Sequence, residues 1–195
     1  MRSTAIHEAG HAVIGRVLDM CGGGASIVDD DNFAGRVDIR LPSAIQDHWE
    51  KQLQKYRYFE SVFIGRILTC MAGAEAEIML AGSHAEESGD VGDRDQITLM
   101  FDGASEAPGL RELREETHEA RLRRFTRVLV RRHSDKIERV AEALLMRQHL
   151  SGEEIDELVF GPKEKEKARK LLNVRLENYE SMKLALRRDS QQEPR

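Results

Sequence analysis

The chain has 195 residues, of which 40% are hydrophobic and 33% charged, enough to bury one core under a highly charged surface. Its formal net charge of -5 argues against a general attraction to nucleic acid or to an anionic membrane. Only 5% of the residues are aromatic, which favours helices packed through aliphatic side chains, and the distant Cys21 and Cys70 argue against a disulfide scaffold or a cysteine metal site.

The predicted elements begin with a helix over residues 4–19, in which apolar side chains recur at helical spacing. The glycine-rich CGGG at 21–24 ends this helix. Two short candidate strands follow, ASIV at 25–28 and GRVDIRL at 35–41, and the turn-rich DDDNFAG connects them. The sequence therefore predicts a small β-hairpin directly after the first helix.

A long helical region is predicted next, over residues 44–81, because aromatic and aliphatic residues recur every three or four positions. Ser43 is its expected N-cap and Gly82 its expected end. The acidic, glycine-containing SHAEESGDVGDRD at 83–95 predicts a loop that leads into another helix near Gln96.

The C-terminal half of the chain is also predicted to be helical. SEAPG at 105–109 indicates a break, and an amphipathic pattern then runs over 110–149 with an interruption at RHSD, residues 132–135. Ser151 and Glu154 have the spacing of a capping box, which predicts a short helix after them.

We expect one folded domain over residues 1–160 and a charged helical extension over 161–195. The extension has few apolar residues and ends in the polar DSQQEPR, so it is either a solvated helix or a helix that binds a partner or a second copy. No apolar run is long enough to span a bilayer and no signal-peptide pattern is present, so we expect a cytoplasmic protein without a membrane segment.

The first helix contains HEAGH, in which His7 and His11 are four residues apart and therefore share one helical face. Both imidazoles can then bind one metal ion, while Glu8 lies about 100° further round the helix, where it can act on a water beside the metal. H-E-x-x-H on a helix is the general signature of zinc metallopeptidases. Gly10 costs about 1 kcal/mol relative to alanine in a helix, which indicates that another group packs closely there. A pair of core histidines with satisfied hydrogen bonds is the alternative hypothesis.

Zinc needs a third protein ligand, and spacing alone does not identify it. Five further histidines are available: His48, His84, His118, His133 and His149. The acidic loop offers three carboxylates: Asp90, Asp93 and Asp95. A solvated turn is the alternative explanation for that loop, so the residues alone leave the third ligand open.

In several segments, which occur in the same order, the chain resembles the peptidase domain of the FtsH-type ATP-dependent zinc proteases. HEAGHAVIG resembles the family's zinc helix, ASIVDDDNFAGRVDIRLP its next hairpin, and MAGAEAEIMLAG its GGRxAEELxFG segment. SGDVGDRDQIT stands where the family has TGASNDLxxAT, and HSDKIERVAEALLMRQHLSGEEIDELV resembles its C-terminal helices. The resemblance covers about residues 1–160 and implies a mainly α-helical zinc peptidase fold with a small β-hairpin.

By this resemblance, His7 and His11 are zinc ligands and Glu8 is the catalytic base. The family's third ligand aligns with Asp93, although the loop departs from the family's pattern and its other two aspartates remain alternatives. Glu77 falls where the family has a glutamate near the metal, against the alternative of a surface carboxylate at a helix end.

The resemblance implies a zinc-dependent endopeptidase that acts on protein or peptide substrates. The chain has no G-x-x-x-x-G-K-[ST] motif, so we expect no ATPase of its own and consider a separate ATP-dependent unfoldase as a candidate partner. A homo-oligomer is left open, because the family's assembly depends partly on its ATPase. Two alternatives remain: a non-catalytic zinc-binding or partner-binding module, and a metal-dependent hydrolase of a non-peptide amide. The intact Glu8 argues against the first, since a structural zinc site needs no base.

Overall fold

The computed structural model describes residues 1–28, 35–37, 56–82, 91–106 and 116–161. Over these residues the chain is mainly helical with a small antiparallel sheet, which confirms the predicted fold class. The helices are α1 Arg2–Val17, α2 Tyr56–Ala76 with a π-helical turn at Glu77–Ala81, α3 Val91–Glu106, α4 Glu116–Arg132, α5 Ser134–Arg147 and α6 at 152–161. The strands are β1 Ala25–Ser26, β2 Arg36–Val37 and β3 His149–Leu150.

Helix α1 lies at the centre of the fold, and every residue from Ala5 to Arg16 is buried. Helices α2 and α5 both pack against α1, and α4 packs against α2. Because α1 is surrounded by protein, its polar side chains need partners. Arg16 finds them at the end of the helix, where it donates hydrogen bonds to Asp156 Oδ1 (2.7 Å) and to the Gly23 carbonyl (2.7 Å). These bonds tie α1 to the glycine-rich turn and to α6.

The sheet has the order β2-β1-β3, and both pairings are antiparallel. Ala25 of β1 faces Val37 on one side and Leu150 on the other, so the predicted hairpin of β1 and β2 is confirmed. The prediction that the helical pattern continues to residue 149 is wrong. Gln148 adopts a left-handed conformation that ends α5, and His149 then joins β3, a strand too short to show a periodic pattern.

The boundary between the acidic loop and α3 differs from the prediction. Helix α3 begins at Val91, whereas the sequence pattern predicts a loop up to residue 95 and a helix from near Gln96. Asp93 therefore lies in the first turn of α3, where a carboxylate interacts favourably with the positive end of the helix dipole. The helix starts ahead of its apolar repeat, which is why hydrophobic spacing alone places the start too late.

The predicted break in the C-terminal half is confirmed at His133, which separates α4 from α5. The predicted capping box is also present, since the Ser151 N–H donates to Glu154 Oε2 (2.8 Å) and the Glu154 N–H donates to Ser151 Oγ (3.3 Å). These bonds hold the pKa of Glu154 below its ordinary value. Helix α3 extends to Glu106, into the first two residues of the break predicted at 105–109, and the rest of that break lies outside the described residues.

Several predictions fall partly outside the described residues. They are the hairpin connection at 29–34 with the end of the second strand at 38–41, the Ser43 N-cap with residues 44–55, the loop at 83–90, the break at 107–109 with the helical pattern up to 115, and the extension beyond Gly161. Residues Met1–Val159 form one compact unit. The boundary of the extension stays a prediction. Within the described ranges, no helix combines the length and the apolar character needed to cross a bilayer.

The close packing inferred at Gly10 is present where α1 crosses α2. A Cβ atom at this position would lie 2.6 Å from the Ala72 carbonyl oxygen and 2.8 Å from the Ala76 Cβ. Neither neighbour is a flexible side chain, so the two helices would have to separate. We expect Gly10→Ala to lower the free energy of unfolding by about 1–3 kcal/mol, despite the better helix propensity of alanine. Chemical denaturation followed by circular dichroism measures this effect.

Gly92→Ala is the matched control for this prediction, because Gly92 is a helical glycine in α3 whose Cβ would meet nothing within 4 Å. There the substitution should be neutral or stabilise the protein by up to about 1 kcal/mol. Equal effects at Gly10 and Gly92 would contradict the close helix crossing.

Candidate metal centre

Three predicted ligands converge at the middle of α1. His7 Nε2 and His11 Nε2 lie 3.0 Å apart, and Asp93 Oδ2 lies 3.0 Å from each of them. Both histidines are buried, and the Asp93 side chain is 19% exposed. Helix α1 supplies the two imidazoles one turn apart, and the first turn of α3 supplies the carboxylate. The structure thus brings together a set of side chains that could hold a metal ion.

The other ring nitrogen of each histidine is held by a group behind it. His11 Nδ1 donates to the Thr69 carbonyl (2.7 Å), and a carbonyl oxygen can only accept. His7 Nδ1 donates to Glu77 Oε2 (3.1 Å), and Glu77 Oε1 in turn accepts from Ser3 Oγ. With the protons on Nδ1, the Nε2 lone pairs of both neutral rings point towards Asp93.

Such a cluster needs positive charge at its centre, because three acceptor atoms face each other at 3.0 Å. Burial lowers the pKa of His11, but the adjacent Asp93 carboxylate raises it to about 9. Burial likewise raises the pKa of Asp93, but His11 and His7 outweigh this effect and hold that pKa well below its usual range. Both shifts follow from the attraction between the Asp93 carboxylate and a protonated imidazole beside it.

The arrangement fits zinc. Tetrahedral ligands about 2.0–2.1 Å from a zinc ion are separated by about 3.3 Å, close to the observed 3.0 Å. Two imidazoles and one carboxylate leave a fourth position open, as in hydrolytic zinc sites. The Nδ1 hydrogen bonds to Thr69 and Glu77 are the supporting contacts that metal-binding histidines usually make.

Room for an ion exists because residue 73 of α2 is glycine. A Cβ atom there would lie 2.7 Å from His7 Nε2 and 2.7 Å from His11 Cε1, and closer still to His11 Nε2. It would therefore occupy the space in front of the two ligand nitrogens. The close crossing at Gly10 brings the α2 backbone this near to α1.

Glu8 lies next to the histidines and is buried, with 7% of its surface exposed. Burial raises the pKa of its carboxyl group, and the nearby histidines only partly offset this effect. No hydrogen-bond donor or cation pairs with this carboxylate among the residues that the structure describes. The Gly35 backbone, just before β2, packs against it so closely that a Cβ would lie 2.5 Å from Glu8 Oε1. The carboxylate is therefore enclosed, yet free to accept a proton.

The predicted site residues meet in one place: His7, Glu8, His11 and Asp93. Of the alternative third ligands, Asp95 is exposed on α3 outside the cluster, and Asp90 lies outside the described residues. The alternative of a surface carboxylate at Glu77 is wrong, since this side chain is buried and bonded to His7. His133 and His149 lie at the α4–α5 break and on β3, away from the cluster.

Sequence spacing did not identify two groups of the candidate metal centre, the Thr69 carbonyl that holds His11 and Gly73 beside the two histidines. A backbone carbonyl leaves no trace in residue type, so nothing in the sequence could have identified the first. A signal for the second existed, because a glycine in the middle of a buried helix indicates close approach by another group.

Removing the carboxylate behind His7 should weaken metal binding without removing a ligand. We expect Glu77→Ala to lower zinc affinity by about 10–100-fold, because His7 loses the acceptor that fixes its tautomer and ring orientation. Competition with a chromogenic zinc chelator measures this change. Glu77→Gln keeps an acceptor oxygen and should recover part of the affinity, whereas equal affinity in all three proteins would show that Glu77 does not support the site.

A scan against protein-family models found no match to this chain, and a search of curated proteins found none either. The resemblance to the FtsH-type peptidase domain therefore remains a prediction based on the sequence segments quoted above.

Proposed function

We propose that the chain is a zinc-dependent endopeptidase that hydrolyses peptide bonds of protein substrates. The observation that supports this most strongly is the enclosed Glu8 carboxylate beside the His7–His11–Asp93 cluster. Two histidines and a carboxylate also serve non-haem Fe(II) sites, so the ligands alone do not select hydrolysis. Among the described residues, no hydrogen-bond donor or cation pairs with Glu8, and a carboxylate of this kind is required at a hydrolytic site but not at a structural or redox site.

The residues of the site have different roles in this reaction. Zinc, when bound by His7, His11 and Asp93, supplies Lewis-acid polarisation of the scissile carbonyl and lowers the pKa of water. Glu8 accepts a proton from the attacking water and delivers it to the leaving amine. Both steps benefit from the raised pKa of Glu8. A pKa nearer to 7 makes the carboxylate a stronger base for the first step and lets its protonated form persist near pH 7 for the second. Thr69 and Glu77 hold the two imidazoles in place.

Glu8→Gln tests this role directly. Glutamine keeps the shape of the side chain but cannot accept the proton, so cleavage of an unfolded protein such as casein should fall by about 10²–10⁴-fold while zinc content stays near wild type. Glu153→Gln, which changes an exposed glutamate on α6, is the control and should cleave at the wild-type rate. Metal content by mass spectrometry and a gel-based cleavage assay would be measured on the same samples.

The possible results separate the hypotheses. Full activity in Glu8→Gln would show that Glu8 is not the base. Zinc without cleavage in the wild type would favour a non-catalytic binding module. If cleavage then appears only when an ATP-dependent unfoldase is added, the peptidase assignment holds and substrate delivery is the missing step.

A further inference from the structure

Helix α4 has a face of exposed arginines that surrounds two exposed apolar side chains. Residues 121–132 contain six arginines and no acidic residue. Arg127 binds the buried Glu75 through its Nε (2.6 Å from Oε2), and Arg123 lies 3.6 Å from the other Glu75 oxygen. The basic face is formed by the exposed residues of α4 that have no such partner in the described structure: Arg121, Arg124, Phe125, Val128, Arg131 and Arg132.

The residue types on the basic face are typical of a surface that binds another macromolecule. Phe125 and Val128 are 52% and 60% exposed and, being three residues apart, lie side by side on the helix. Aromatic side chains and arginines are enriched in protein interfaces, where lysine is depleted, and this face has no lysine. Arginine also binds carboxylates in a bidentate manner that lysine cannot reproduce.

Helix α5 presents a face of the opposite charge with a similar apolar content. The acidic face consists of Glu138, Glu142, Leu145 and Met146, all exposed and spaced at helical intervals. The arginines of α5 do not neutralise it, because Arg139 binds Asp135 (3.3 Å) and Arg147 binds Glu154 (2.7 Å). Glu138 and Glu142 have no ion-pair partner within the described ranges.

The two faces belong to successive helices whose buried sides pack mainly on different helices, α4 on α2 and α5 on α1. Helix α4 is attached to α2, where Thr126 Oγ1 contacts Met71 Sδ, whereas α5 buries Ile137, Val140 and Leu144 against the core at α1. Both faces therefore point away from the core. A contact between them would join two non-identical surfaces, and such heterologous contacts build chains or rings of copies.

We propose that the basic face of one molecule binds the acidic face of a second copy of this chain. Phe125 and Val128 would pack on Leu145 and Met146, and the arginines around them would meet Glu138 and Glu142 of the next copy. Charge complementarity favours a second copy as the partner, since the same chain carries both the basic face and the acidic face. The overall charge of -5 disfavours nucleic acid or an anionic membrane as the occupant. The proposal does not depend on the proposed peptidase function.

The expected contact is small and salt-sensitive. About three helical turns from each copy bury less than the roughly 800 Å² per partner of a standard interface, so we expect micromolar affinity. Because much of the attraction is between exposed charges, raising the salt from about 0.1 M to 1 M shortens the Debye length from about 10 Å to 3 Å and should dissociate the copies.

Charge reversal on each face, followed by mixing, tests the proposal by sedimentation equilibrium at low salt. Arg124→Glu with Arg131→Glu changes the basic face, and Glu138→Lys with Glu142→Lys changes the acidic face. The wild type should form dimers and larger species. Each variant alone should associate at least about tenfold more weakly, because like charges now face each other. Mixed one to one, the two variants should associate with each other again, because the intact acidic face of one meets the intact basic face of the other and the two reversed faces are also complementary.

The mixture also controls for misfolding, because a variant that failed to fold would not bind in it. A chain with all four substitutions has both faces reversed and should self-associate again. A wild type that stays monomeric at about 100 µM would overturn the proposal, as would variants that associate like the wild type. So would binding of duplex DNA or of phosphatidylserine vesicles through Arg124 and Arg131 by a chain that does not self-associate.

Discussion

Asp93→Ala is expected to abolish zinc binding and, with it, all cleavage. Asp93 would supply the third ligand atom, because its Oδ2 lies 3.0 Å from each histidine Nε2 and two histidines alone do not hold zinc. Loss of a supporting contact costs about 10–100-fold in affinity, so loss of a ligand should cost more than about 100-fold. The measurement is zinc content after dialysis, together with chelator competition.

Asp95→Ala is the matched control, because Asp95 lies two residues further along the same helix, is exposed and stands outside the cluster. It should bind zinc and cleave like the wild type. If Asp95→Ala loses zinc and Asp93→Ala retains it, the start of α3 is displaced from its position in the structure and the third ligand is Asp95. Circular dichroism of both variants would show whether the helices remain folded.

Much of this centre could be predicted because its first part is local. His7, Glu8 and His11 lie within five residues of one helix, so helical geometry alone fixes which side chains can share a metal. Gly10 likewise predicted a close neighbour from its cost to the helix. The helix pattern around the break at His133 and the capping box after it are also local signals, and the structure confirms both.

What could not be predicted depends on distant parts of the chain. Asp93 is 86 residues from His7, and only the resemblance to a known family selected it among three aspartates. The pairing of β3 with β1 joins residues 150 and 25, and two-residue strands have no periodicity to detect. The Thr69 carbonyl supports His11 through the backbone, which residue type does not reveal.

Helix α2 lies between α1 and α4, and its two faces contact different helices. Gly73 and Glu77 face the histidines of α1, whereas Glu75, between them, is 1% exposed and binds Arg127 of α4. A buried carboxylate requires a close cationic partner, and removing that partner would leave a costly unpaired charge. The Glu75 ion pair thus attaches one face of α2 to α4, while Gly73 on the other face lies against the histidines of the candidate metal centre.

Gly73→Ala is the second substitution for which we expect a near-complete loss of zinc. The added methyl group would lie 2.7 Å from His7 Nε2 and would fill the space in front of both ligand nitrogens. Alanine favours the helix by about 1 kcal/mol, so α2 itself should remain intact and the damage should be confined to the centre. We expect zinc affinity to fall by more than about 100-fold, as for loss of a ligand, because both rings must turn away from Asp93.

Gly65→Ala separates this steric effect from a general effect of alanine in α2. The three atoms nearest to its methyl group would all belong to the Met20 side chain, the closest being Sδ at 3.0 Å, and none belongs to the candidate metal ligands. Zinc affinity and cleavage should therefore stay at the wild-type level in Gly65→Ala while both are lost in Gly73→Ala. If Gly73→Ala binds zinc normally, the ion does not occupy the space between His7 and His11, and the ligand assignment fails even though HEAGH is intact.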